Sequence, residues 1–133
     1  MAQRIGALAI LVREYDEAID FYVNKLGFVL LEDTDMGGGK RWVRVAPRSA
    51  SSGSTETAIL LARAVTEEQK SVIGNQAGGR VWLFLQTDDF AKDYAAMQAR
   101  GVKFLETPRK EAYGMVVVFE DLYGNRWDLL GSA

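Results

Sequence analysis

Histidine and cysteine are both missing from these 133 residues, and proline occurs only as Pro47 and Pro108. Without cysteine there is no disulfide, no thiolate nucleophile and no sulfur metal site. Without histidine, acid–base work near neutral pH falls to a carboxylate raised by burial or to a tyrosine. Tyr113 and Tyr123 are available, but no base is paired with either in the sequence. A net charge of −2 and the lack of a Lys/Arg stripe argue against a nucleic-acid partner. Arg41, Arg44 and Arg48 form the only local basic cluster, which suits a solvated strand edge. No apolar run approaches the roughly 20 residues that span a bilayer, and no basic-then-apolar leader opens the chain. The expectation is a single cytoplasmic domain with no membrane partner, long enough to bury a real core.

What is present is one pattern written twice. An apolar run, Ile5 to Val12, is followed by Ala18, Phe21, Tyr22 and Leu26 at helical spacings, and Gly27 ends that helix. Phe28 to Leu31 starts a second strand, Met36 to Lys40 is a glycine-rich turn, and Arg41 to Val45 and Thr57 to Leu61 follow as strands. The second copy has strand Val81 to Thr87 and a helix capped by Asp88 with the stripe Phe90, Tyr94, Met97. Gly101 closes it, and strand Val102 to Leu105 precedes a hairpin of Met115 to Phe119 with Arg126 to Leu130. The order strand–helix–strand–strand–strand thus occurs in module one, about 1–64, and module two, about 80–133. Between them a linker of about 65–79 carries the capping box Thr66 to Gln69. The fold class is α+β, two βαβββ modules in pseudo-two-fold relation.

Asp20-Phe21-Tyr22 with Leu26-Gly27-Phe28 resembles the opening signature of the glyoxalase, bleomycin resistance and ring-cleaving dioxygenase superfamily, the vicinal oxygen chelate proteins. Phe119-Glu120-Asp121-Leu122-Tyr123-Gly124-Asn125-Arg126-Trp127-Asp128-Leu129 is similar to its closing hairpin. Arg41 to Pro47 and Pro108 to Gly114 resemble one non-glyoxalase branch. The resemblance implies half-barrel modules facing a shared cleft, paired within the chain or across a homodimer. It also implies four strand positions where relatives hold a divalent metal with His or Glu. In this sequence those positions are Ala7, Leu60, Trp82 and Asp128, so neither a metal nor any other cofactor is expected.

Strand alternation then groups side chains. If Ala7, Leu60, Trp82 and Asp128 point into the cleft, so do Ala9, Ala58, Ala62, Phe84 and Arg126. Such a wall suits a small organic ligand, with Trp42, Arg44 and Tyr113 as further contacts. Trp82 lines a pocket or simply fills space left by the lost metal site. Asp128 binds a cationic or hydroxyl group, or pairs with Arg126 or Arg44. Arg44 beside Trp42 clamps an anionic or planar ligand, or is an exposed edge residue. Gly37-Gly38-Gly39 is a hairpin turn, since no Lys-Ser/Thr and no helix follow it. Three functions remain open: a metal-free binder of a small molecule, a lyase or dioxygenase with a site relocated to Glu56 and Asp128, and a scaffold with a collapsed cleft. No catalytic residue is assigned.

Overall fold

The computed structural model describes residues 1–48 and 57–132. The chain forms two compact units, Met1–Ile73 and Gly74–Ala133. In the first, β1 (Ala7–Val12), β2 (Val29–Gly37), β3 (Lys40–Ala46) and β4 (Ala58–Arg63) make a sheet in the order β1-β4-β3-β2. β1 runs parallel to β4 and the other pairs are antiparallel. Ile10, Leu61 and Val43 lie opposite one another in one row and are fully buried. A helix covers that row, and its removal from water favours folding of this unit.

The helix departs from the regular stripe expected over its length. α1 (Tyr15–Ile19) is α-helical, but Asp20–Lys25 winds as a π-helix, with the Leu26 amide donating to the Phe21 carbonyl at 3.1 Å. The wider turn lets consecutive residues Phe21 and Tyr22 both face inward, edge to face at 5.4 Å. Gly27, at φ +80°, then turns the chain into β2. Arg41 ties this helix to the β2–β3 hairpin. Its guanidinium bonds Asp33 at 2.7 Å and Asp16 at 2.8 Å and lies 5.1 Å from the Tyr15 ring centre. The hydrogen bond from Arg41 holds the Asp33 carboxyl below the usual carboxylate range.

After α2 (Glu67–Val72), whose Thr66–Gln69 capping box forms as the sequence predicts, the second unit begins. Its sheet has the order β5-β9-β8-β6, from β5 (Val81–Thr87), β6 (Lys103–Phe104), β8 (Gly114–Glu120) and β9 (Arg126–Gly131). The strand expected at Val102 to Leu105 is shorter than predicted, and Arg109–Glu111 adds an unforeseen strand, β7, against β8. Pro108 separates the two, because it has no N–H to continue a ladder. α3 (Phe90–Ala99) is capped by Asp89 rather than Asp88, the Asp89 carboxylate accepting from the Lys92 amide at 3.2 Å. Thr87 decides the register: its hydroxyl accepts from the Asp89 amide and donates to Asp93. Phe119 and Trp127 stack at 5.8 Å in the core beneath α3. No helix among the described residues is long and apolar enough to cross a membrane.

Candidate functional site

Each sheet buries one face and leaves the other open, and five of the candidate residues, Trp42, Arg44, Leu60, Phe84 and Asp128, fall on the open faces. In the first unit Ala9, Leu60, Arg44 and Glu32 form one cross-strand row. Arg44 is taken up there, its Nε donating to Glu32 Oε1 at 3.0 Å. Trp42 stands one step along β3, opposite Thr34 and exposed, while Ala7 lies opposite Ala58. The result is an indole beside a neutralised ion pair, with small aliphatic side chains around Leu60.

The second unit repeats the register: Phe84, Asp128 and Val118 form the row that matches Ala9 and Leu60. Phe84 is 61% exposed, far more than a core phenylalanine. Asp128 Oδ1 is shielded from solvent and has no hydrogen-bond partner among the described residues. Burial pushes the Asp128 carboxyl above the usual carboxylate range; nearby Arg109 opposes that shift and Glu106 adds to it. Arg109 is already engaged, bonding Glu106 at 3.0 Å and Glu111 at 2.6 Å, while Glu106 also accepts from the Val118 amide. No local pattern marks Glu106 and Arg109, since they come near Asp128 only through the β7 pairing and the Val118 amide.

Trp82 breaks the repeat. In β1 the equivalent position, Ala7, is regularly paired, but in β5 a bulge falls between Val81 and Leu83. Trp82 is the extra residue, and its ring meets Trp127 edge-on at 6.1 Å. It also walls a cavity of about 160 Å³, together with Arg80, Glu120, Asn125, Arg126 and loop residues 74–77 and 79. Arg126 belongs to this cavity and donates to the Gly79 carbonyl at 3.4 Å, away from Asp128. Neither ion pair considered for Asp128 is formed: Arg126 turns to the loop, and Arg44 bonds Glu32 within its own unit. The predicted residues thus separate into Trp42, Arg44 and Leu60 on one open face, Phe84 and Asp128 on the other, and Trp82 with Arg126 at the cavity. Tyr113 sits exposed on the β7–β8 turn, and Glu56 lies outside the described residues.

A divalent ion does not fit these positions. Ala7, Leu60 and Trp82 offer no lone pair, and Asp128 offers one carboxylate where three or four ligands are required. Among the described residues no group of three Asp or Glu is placed to hold an ion. What the second face can do is bury an apolar surface against Phe84 and answer a hydrogen-bond donor with Asp128.

The family model for the glyoxalase/bleomycin resistance protein/dioxygenase superfamily matches residues 4–129. The chain is 58% identical over 131 residues to an uncharacterized protein of Shewanella frigidimarina, covering 98% of this chain and 94% of that one. Among solved structures it is similar to UcmS2, with a TM-score of 0.81 and 27% identity over 98% of both chains. It is also similar to TnmS3, an antibiotic binding protein from Streptomyces sp. CB03234, with a TM-score of 0.75 and 29% identity, covering 99% of this chain and 98% of that one. With the doubled strand order and the closing hairpin in place, the chain belongs to the glyoxalase/bleomycin resistance protein/dioxygenase superfamily.

Proposed function

We propose that this protein binds a small organic molecule without a metal, acting as a cytoplasmic homodimer. The carrying observation is Asp128: of the four family positions it alone keeps a carboxylate, and its buried oxygen has no partner among the described residues. A buried acceptor left unpaired costs stability, so its retention suits a group reserved for a ligand. Exposed Phe84 beside it supplies an aromatic surface, and Trp42 does the same in the first unit. Likeness to an antibiotic binding protein supports the ligand class.

The test is a fluorescence titration of chelator-treated protein against a panel of aromatic antibiotics. Saturable binding is expected, lost on Phe84→Ala and weakened roughly tenfold by Asp128→Asn, the change set by one charge-assisted hydrogen bond. Binding that requires a stoichiometric metal, or metal-dependent turnover of a catechol or a thiol adduct of methylglyoxal, would overturn the reading.

A further inference from the structure

The cavity beside Trp82 is separate from Phe84 and Asp128, and it is built rather than incidental. The loop over residues 74–80 is fastened to the β8–β9 hairpin. Asp121 and Asn125, both buried, hold the hairpin: Asp121 Oδ1 accepts from the amides of Tyr123 and Asn125, and Asp121 Oδ2 accepts from Asn125 Nδ2, each at 2.9 Å. Asn125 Oδ1 then accepts from the Gln76 amide at 3.0 Å, which docks the loop. Gly74 permits the approach, since a Cβ there would lie 2.0 Å from the Tyr123 carbonyl oxygen. The bulge in β5 sets the Trp82 ring as the wall under this loop.

Size and charge define what fits. About 160 Å³ is the volume of a cavity that holds one benzene ring. Two arginines, Arg80 and Arg126, line it, and Glu120, the single carboxylate among its described lining residues, is balanced by Lys103 at 3.3 Å. The local charge is positive on a chain whose net charge is −2. A flat ring against an indole, with an anion facing arginines, is the recognition such a set favours.

We propose that the Trp82 cavity binds a single-ring aromatic carboxylate, the ring against Trp82 and the carboxylate on Arg80 and Arg126. The site is independent of the face around Asp128, because its contacts include neither Asp128 nor Phe84. The probe is benzoate, followed by amide chemical shifts in the full-length protein, with benzyl alcohol and acetate as controls. Benzoate is expected to bind saturably and to shift the amides of residues 74–80 and 124–126. Benzyl alcohol, lacking the charge, and acetate, lacking the ring, are each expected to bind roughly tenfold more weakly or worse. Arg126→Gln, an exposed substitution that leaves the core intact, removes the preference for benzoate over benzyl alcohol. Trp82→Leu weakens both ring compounds. Absence of saturation by benzoate, an unchanged preference in Arg126→Gln, or shifts confined to Phe84 and Asp128 would overturn the proposal. The same result in Phe84→Ala as in the unaltered protein separates this site from the antibiotic-binding face.

Discussion

Asp128 is held at an energetic disadvantage in this chain. Its shielded oxygen lacks a donor among the described residues, and burial raises its pKa above the ordinary value. A carboxyl whose folded pKa is raised binds its proton more readily when folded, so its penalty is fully present above the folded pKa. The penalty is relieved as pH falls through the folded pKa toward the unfolded one. Asp128→Asn removes the charge and keeps the shape. It is expected to stabilise the protein at pH 7 by about 1 kcal/mol or less, since the residue as a whole is only partly buried. Thermal melts of both proteins from neutral to acidic pH check this, and the two curves should converge on acidification. An Asn variant less stable at neutral pH would mean that Asp128 serves the fold rather than a ligand. Arg44 is the opposite case: it spends its charge on Glu32 and has less to offer an anion.

At the scale of elements, the parts legible in the sequence were those governed by local chemistry. Thr66 and Gln69 announce their capping box because both halves lie within one turn. The paired strands follow from apolar runs bounded by glycine and proline. What was hidden depends on partners far along the chain. The bulge at Trp82 shows only against β9, so alternation alone placed Trp82 on the Asp128 face. The π-helical turn depends on burying Phe21 and Tyr22 together, and β7 on its pairing with β8. The closing hairpin was recognisable as a signature, but its second use, anchoring the 74–80 loop through Asn125, needed the fold. Gly74 is the sharpest test of that anchor, with φ at +79° and the Tyr123 carbonyl where a Cβ would go. Gly74→Ala should cost about 1–3 kcal/mol. Hydrogen exchange is the specific readout: the Gln76 amide should lose protection while amides in β3 and β4 keep theirs. Unchanged protection at Gln76 would show that the loop docks by other means.

At the scale of the whole molecule, one unit design carries two different faces. The first is small and aliphatic around a neutralised Arg44–Glu32 pair; the second presents Phe84 and an unsatisfied acid. Exposed Phe84 and Trp42 are large aromatic side chains of the kind that protein partners cover. The proposed homodimer would supply that cover, and if it forms, light scattering during gel filtration should give about twice the 14.7 kDa of one chain. Phe84→Glu places a charge where apolar contact is required and is expected to yield the single-chain mass with its circular dichroism intact. Asp128→Asn should remain dimeric, because it keeps the side chain's shape and removes no apolar contact. An aromatic antibiotic that binds the dimer should then raise its melting temperature by mass action, and that rise should vanish in Phe84→Glu and shrink in Asp128→Asn. A monomer at every concentration that still binds the antibiotic would detach the ligand site from assembly. A dimer unchanged by Phe84→Glu would move the interface away from this face.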